Sequence, residues 1–181
     1  MKKRICCFIL AFILIAICQA GCGKKDNGMK KVVLNEVAHS IFYAPQYVAI
    51  EMGYFKDAGI DLVLETGFGA DKTMTALISG NADIGFMGSE STIYAYAEGS
   101  KDYAVNFAGL TQRAGNFLVA REKIDNFSWD MVKGKNVLGG RKGGMPQMVL
   151  EYILKANNID PASDLSIDQS VDFGLTAGAF S

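Results

Sequence analysis

The sequence predicts an α/β fold of two lobes, each a doubly wound, mainly parallel sheet. Three observations lead to this prediction: a strand–helix–strand pattern in residues 31–65, its repetition as far as residue 110, and its restart near residue 116. Consecutive units of this kind form parallel sheets with right-handed crossovers. Because ligands of such sheets bind where the strands end, candidate site residues are expected in the loops that follow the strands.

The first unit has a signal at each junction. Residues 31–37 and 60–64 alternate apolar and polar side chains, which is the period of a strand. Between them, Pro45 suits a first helical turn and Gly53 ends the pattern, so a helix is expected over residues 44–52, followed by an aromatic turn.

Two further units extend to residue 110. One helix is expected to begin at Asp71 as its N-cap, and another at Ser89 as its N-cap. The apolar run 82–87 predicts a buried parallel strand, and residues 103–110 predict a fourth strand. By helical spacing, the side chains expected to point inward are Met74, Leu77, Ile78, Ile93, Tyr96 and Ala97.

The pattern then restarts. Strands are predicted at residues 117–120, 136–139 and 165–170, and Pro146 begins a helix. The inward positions expected for that helix are Val149, Tyr152, Ile153 and Ala156. The predicted division is lobe 1 over residues 31–112 and lobe 2 over residues 113–181, with a crossover at Thr111, Gln112 and Arg113. Lobe 2 still lacks strands at Ser181, which indicates a fragment or a truncated product.

The N-terminus has the layout of a secretory leader. Three basic residues precede the apolar run 5–17, which is too short for a stable membrane span. Residues 1–21 are therefore interpreted as a signal peptide and residues 22–30 as a flexible tether. Ala20, Gly21 and Cys22 resemble the end of a bacterial lipobox, although Gln19 replaces the usual branched residue; an acylated Cys22 would hold the protein on the lipid bilayer. The alternative is an ordinary secretory signal with an incidental cysteine.

Composition limits the possible functions. Half of the 181 residues are apolar and the net charge is −1, so neither a nucleic-acid-binding protein nor a disordered chain is indicated. All four cysteines lie in the leader, and His39 is the single histidine, so neither a disulfide framework nor a metal site is expected. Without residues 1–21, 15 basic residues stand against 19 acidic ones, so the mature protein is mildly acidic.

The strongest candidate site is the glycine-rich loop that precedes the helix at Pro146. Backbone N–H groups at a helix N-terminus, together with a cation, suit an anionic or polar ligand. The candidate ligand-binding residues of this loop are Arg141, Gly143, Gly144 and Met145. The alternative is a tight turn with solvated cations, and the residues alone do not choose between the two.

Other candidates follow the predicted strands of lobe 1. Aromatic and polar side chains after the first strand can line a cleft by stacking and hydrogen bonding. Glu90 could pair with an amine or a ring N–H of a ligand, or serve only as a first-turn carboxylate. Ser89 lacks the sequence context of a hydrolase nucleophile. The lobe 1 and crossover candidates are His39, Ser40, Phe42, Tyr43, Gly69, Gly88, Ser89, Glu90, Thr111 and Gln112.

Three segments resemble one known family. They are YVAIEMGYFKDAGIDLVLE from residue 47, LISGNADIGFMGSE from residue 77, and VKGKNVLGGRKGGMP from residue 132. They resemble extracytoplasmic solute-binding proteins of the nitrate, sulfonate, taurine and thiamine-pyrimidine-precursor type. The resemblance covers nearly all of the chain after the leader.

The resemblance implies a two-lobed periplasmic-binding-protein-like fold and a function in transport. Such a protein is a monomer without a cofactor that captures a small-molecule solute, here an organic anion or a flat heteroaromatic, and delivers it to an ABC permease. The family places cleft contacts on the glycine-rich loop. Two other classes share the fold: a pyrimidine-synthase-like enzyme, which lacks a secretion signal, and a ligand-sensing regulator, which needs a DNA-binding headpiece. Neither fits the first 22 residues, so a non-enzymatic binding protein is expected.

Overall fold

The structure, a computed structural model, describes residues 28–112 and 115–181. Its first sheet has three parallel strands, with the first strand of the chain (Lys30–Glu36) between the other two; Leu34 on this strand and Val37 just after it are buried. The prediction that residues 60–64 and 82–87 contribute parallel strands to one sheet is confirmed. The strands are β1 (Lys30–Glu36), β2 (Ile60–Thr66) and β3 (Ile84–Phe86).

Helices connect these strands as the sequence predicts. A 3₁₀ turn (Ile41–Tyr43) leads into α1, which has Pro45 in its first turn. Gly53 ends α1 at a φ of 78°, a left-handed conformation that favours glycine, and the expected aromatic turn is a short helix, α2. The helices of this half are α1 (Ala44–Glu51), α2 (Tyr54–Asp57), α3 (Ala70–Ile78) and α4 (Glu90–Ala97).

A second sheet lies in the C-terminal half. Its two strands, β4 (Asn136–Leu138) and β5 (Ser166–Asp168), pair in parallel, and α5 (Met145–Ala156) connects them. Val132, Leu154, Ile159 and Leu165 form the buried core under this sheet. The half also contains 3₁₀ turns at Trp129–Val132 and Phe173–Leu175, and the short helix α6 (Thr176–Phe180). Strand β5 is shorter than the predicted 165–170, because the Asp168 carboxylate accepts the backbone N–H of Ser170 and bends the chain.

Two predicted strands are wrong. Residues 103–110 and 117–120 have no regular structure, and Val105 and Phe117 are among their exposed apolar side chains. An apolar segment forms a strand only where a neighbouring strand supplies hydrogen-bond partners. Within residues 28–112 and 115–181, neither segment pairs with a strand.

The predicted inward faces of the later helices are also partly wrong. The buried residues of α4 are Glu90, Ser91 and Thr92, and not the apolar positions that helical spacing selected. The Thr92 hydroxyl donates to the Ser89 carbonyl, and one oxygen of Glu90 accepts a backbone N–H. On α5 the fully buried residue is Leu154. The positions expected inward that are exposed are Ile78, Ile93, Tyr96, Ala97, Tyr152 and Ala156.

One of the two predicted N-caps is wrong. The N-cap of α3 is Gly69, and Asp71 lies in the first turn, where its carboxylate accepts hydrogen bonds from Arg141. Ser89 is the N-cap residue of α4, as predicted, although its side chain makes no capping hydrogen bond.

Several predictions fall outside the described residues. These are the leader (residues 1–21), acylation of Cys22, most of the tether, and Arg113 of the crossover. Over the described residues, the helices are too short or too polar for any of them to cross a membrane.

Candidate functional site

The first sheet gathers three strand ends at one edge. Strand β1 ends at Glu36, which lies in register with Thr66 at the end of β2 and with Phe86 at the end of β3. All three strands are parallel, so the loops that follow them project from the same edge. We call this edge, with those loops, the first edge.

Glu36 is the centre of the hydrogen bonding at the first edge. Its side chain has no exposed surface and its two oxygens contact four side chains. Oε2 accepts from Gln46 Nε2 at 3.0 Å and from the Tyr47 hydroxyl at 2.9 Å. Oε1 accepts from the Thr66 hydroxyl at 3.3 Å and lies 3.0 Å from His39 Nδ1. A carboxylate only accepts, so Nδ1 is the protonated nitrogen of His39.

The predicted aromatic and polar residues after β1 lie beside this centre. The Ser40 backbone N–H donates to the Tyr47 hydroxyl at 3.0 Å, and its side-chain oxygen accepts from the Phe42 N–H at 3.3 Å. The His39 ring lies 4.3 Å from the Tyr47 ring, and His39 is exposed. The structure therefore brings His39 and Ser40 to Glu36, while Phe42 is exposed next to them.

Tyr43 packs against the end of β3. Its ring centroid lies 4.3 Å from that of Phe86. Burial raises the pKa of the Tyr43 hydroxyl, and the charges of Glu36 and Glu90 raise it further. Both carboxylates are thus within electrostatic range of one phenol.

Glu90 is buried at the start of α4 and reaches the other half of the chain. Its Oε1 accepts the backbone N–H of Met145, the first residue of α5, at 2.9 Å. A carboxylate is favoured there because the amino end of a helix carries a partial positive charge. The carboxylate also folds back over Gly88, where a Cβ atom would lie 2.0 Å from Oε2. The predicted residues Gly88, Glu90 and Met145 therefore form one contact.

Arg141 makes a second bridge between the halves. Its Nε and Nη2 each donate to the Asp71 carboxylate at 2.8 Å, and Nη1 donates to Asp172. Asp172 also accepts from Lys72 at 2.9 Å. Hydrogen bonding to Arg141 lowers the pKa of Asp71. Gly69 lets the guanidinium approach, since a Cβ there would lie 2.8 Å from Arg141 Cδ.

The glycine-rich loop uses several of its own N–H groups internally. Lys142 N–H donates to the Gln169 carbonyl, Gly143 N–H to the Gln147 side chain, and Gly144 N–H to the Arg141 carbonyl. Direct ligand contact by Arg141, Gly143 and Gly144 remains a prediction. The hydrogen bonds that these residues make in the structure hold the turn that precedes α5.

Two features lie beside this arrangement. An open pocket of about 710 Å³ next to Arg141 is lined by Asp71, Lys142 and the end of β5. Thr111 and Gln112 are exposed and belong to no helix or strand.

No group of three or more histidine, cysteine or acidic side chains suited to a metal occurs in the described part of the chain.

Sequence reasoning missed Glu36, Gln46 and Asp172. A signal existed for Glu36, because it is an acidic residue near the end of a predicted strand whose middle, residues 32–34, is apolar. Nothing in the spacing of Gln46 or Asp172 distinguishes them from ordinary surface residues.

Comparison with known proteins decides the family. A model of the family described as NMT1/THI5 like matches residues 41–175. The chain belongs to the NMT1/THI5-like family.

This family member also resembles individual proteins. It is 50% identical over 180 residues to the Bacillus subtilis (strain 168) protein named "Putative binding protein YtlA", a match that covers 99% of this chain and 53% of the relative. The chain therefore spans about half the length of that relative.

Two solved structures are similar. One is from Bordetella bronchiseptica RB50, with 20% identity, a TM-score of 0.52, and coverage of 78% of this chain and 45% of that one. This likeness agrees with the α/β fold of parallel sheets. The other is the periplasmic aliphatic sulphonate binding protein SsuA from Escherichia coli, with 13% identity, a TM-score of 0.46, and coverage of 83% and 50%.

Proposed function

We propose that this chain is the solute-binding part of an ABC importer. Residues 31–112 form one lobe and residues 113–181 belong to the other, and a small molecule is captured where the two meet. Acylated Cys22 anchors the protein, a monomer, to the extracytoplasmic face of the membrane, and the closed form delivers its solute to the permease. Family membership and the name of the Bacillus subtilis relative, a binding protein, support a binding role.

The observation that carries this proposal is the contact between the two halves. Glu90, at the start of α4 after β3, binds the first N–H of α5, and Asp71, at the start of α3, binds Arg141 in the loop after β4. Each of these residues follows a strand of its sheet, so the ligand-binding edges of both sheets face each other. A solute held between them would stabilise the closed arrangement by its higher affinity for that state.

Thermal unfolding of the intact protein against a library of small solutes tests the binding function. A solute at about 100 times its dissociation constant adds about 2.7 kcal/mol. That corresponds to a rise in melting temperature of roughly 5–10 °C for a protein of this size. Mass spectrometry of the recovered solute should show it unchanged, whereas conversion to a product would favour the enzyme of the same fold.

Substitution locates the binding site. Arg141→Ala should weaken solute binding by roughly 1.5–3 kcal/mol, through loss of a charged hydrogen bond or of the bridge that holds the halves together. Lys135→Ala removes an exposed cation just before β4 and should leave the affinity unchanged. Equal affinities of the two variants in calorimetry would mean that residues 139–144 are only a turn.

Fractionation of cells tests the anchor. Cys22→Ser should release the protein from the membrane fraction, because stable anchoring needs the acyl chains attached there. Retention of the variant with the membrane would contradict the lipid anchor and leave the binding function untouched.

A further inference from the structure

Two buried acceptor atoms at the first edge have no hydrogen-bond donor among the described residues. They are Gln46 Oε1 and Glu90 Oε2, and each residue is more than nine-tenths buried. Buried acceptors in native proteins are nearly always paired. Both atoms therefore call for N–H or O–H donors from outside the described chain.

The two acceptors belong to one region. Gln46 is bonded to Glu36 at the end of β1, and Glu36 lies in register with Phe86 at the end of β3. Tyr43 packs on Phe86 and experiences the charges of both Glu36 and Glu90. The aromatic pair Tyr43 and Phe86 thus lies at the same edge of the sheet as the two carboxylates and the Gln46 amide oxygen.

The charge of this region favours a positive ligand. Glu36 takes its hydrogen bonds from a histidine, an amide and two hydroxyls, and Glu90 takes its own from a backbone N–H. The cations between the halves, Arg141 and Lys72, are bound to aspartates. Lys142 faces the open pocket on the second sheet. An anion at the first edge would meet carboxylates, whereas a cation would be attracted to them and to the ring of Tyr43.

We propose that Glu90 selects a small organic cation carrying N–H groups, accepting its N–H on Oε2 while Oε1 holds the N–H of Met145. This inference rests on the proposed solute-binding function and names the class of solute. Gly88 is required because its missing side chain leaves room for the carboxylate. One carboxylate then contacts both the ligand and the second half of the chain, so recognition of the cation is linked to closure.

Matched probes on the same scaffolds test the charge of the ligand. Benzamidinium, benzamide and benzenesulfonate share an aromatic ring, and propylammonium and propanesulfonate share an alkyl chain. Calorimetry of the intact protein should show binding of at least one cation, weaker binding of the neutral amide, and no binding of either sulfonate.

Variants of Glu90 test the residue. Glu90→Gln should lower the affinity for the bound cation about tenfold or more, since it removes a charged acceptor. Glu90→Asp keeps the charge and should give an intermediate loss. Glu98→Gln makes the same charge change at the exposed end of α4 and should leave the affinity unchanged. Circular dichroism identifies any variant that fails to fold. Gln46→Met tests the second unpaired acceptor, Gln46 Oε1, independently of Glu90.

The outcomes separate the two proposals. Binding of a sulfonate but of neither cation, or equal cation affinity for Glu90→Gln and the parent, overturns the selection of cations while solute binding stands. Failure of every probe in both charge classes counts against the solute-binding function itself.

Discussion

Replacement of Glu36 tests whether its buried carboxylate organises the first edge. Glu36→Leu keeps the volume but removes the acceptor of four side chains. His39 is exposed and Tyr47 and Thr66 are half-buried, so these three can turn towards water. Gln46 is buried and its N–H₂ group would lose its partner. An unpaired buried donor costs about 1–3 kcal/mol, so a total loss of about 2–4 kcal/mol is expected.

The isosteric change Glu36→Gln should cost less. The new amide presents an N–H₂ group to Gln46, whose Oε1 has no donor among the described residues. Rotation of the Gln46 amide by half a turn makes that oxygen the acceptor, so one hydrogen bond replaces another there. The Tyr47 hydroxyl donates to the same Glu36 oxygen and loses that acceptor, but Tyr47 is half-buried and its hydroxyl can turn towards water. We expect a loss of less than about 1 kcal/mol, the net value of a single neutral hydrogen bond.

Urea unfolding followed by circular dichroism measures both values. Glu98→Gln is the matched control, since it removes an exposed carboxylate and should stay within about 0.5 kcal/mol of the parent. Two results would refute the reasoning: a Glu36→Leu variant as stable as the control, or a Glu36→Gln variant as damaged as Glu36→Leu.

Three further predictions concern the contacts between the halves. Arg141→Ala and Asp71→Asn should each lower the free energy of unfolding by about 1 kcal/mol, because the pair is partly exposed. The double variant should lose less than the sum of the two single losses, because both changes remove the same interaction. The hydrogen bond to Arg141 lowers the pKa of Asp71, so this coupling energy should be fully present above the ordinary carboxyl pKa. It should disappear as the pH falls through the lowered pKa of Asp71. A coupling energy that grows on acidification would contradict the ion pair between Asp71 and Arg141. Gly88→Ala should cost about 1–3 kcal/mol in urea unfolding because its Cβ would displace the Glu90 carboxylate, whereas Gly109→Ala, with open space around it, should cost little.

The sequence predicted the first sheet well for a physical reason. Residues 32–34 form an apolar run between polar neighbours, apolar residues recur at every second position in 60–64, and Pro45 and Gly53 mark the helix between the two strands. Signals of this kind are local, and the parallel order follows from the repeated strand–helix–strand connection. The segment 103–110 is largely apolar too, but a strand also needs a neighbour, and that information is not local.

The candidate site was predicted only in outline. His39, Tyr43, Glu90 and Met145 were expected at strand ends, and the structure places them at the meeting edges of the sheets. Their hydrogen-bond partners could not be derived, because pairs such as Glu36 with Gln46 depend on how the first helix packs.

The ion network between the halves has a consequence for the order in which the chain assembles during synthesis. Lys72 and Asp172 are 100 residues apart in sequence, and Asp71 and Arg141 are 70 apart. A ribosome releases the N-terminal part first, so the three strands up to Phe86 can pair before the partners of Asp71 exist. Until Arg141 and Asp172 emerge, Asp71 and Lys72 both lack these partners, so the contacts between the two halves form late in synthesis.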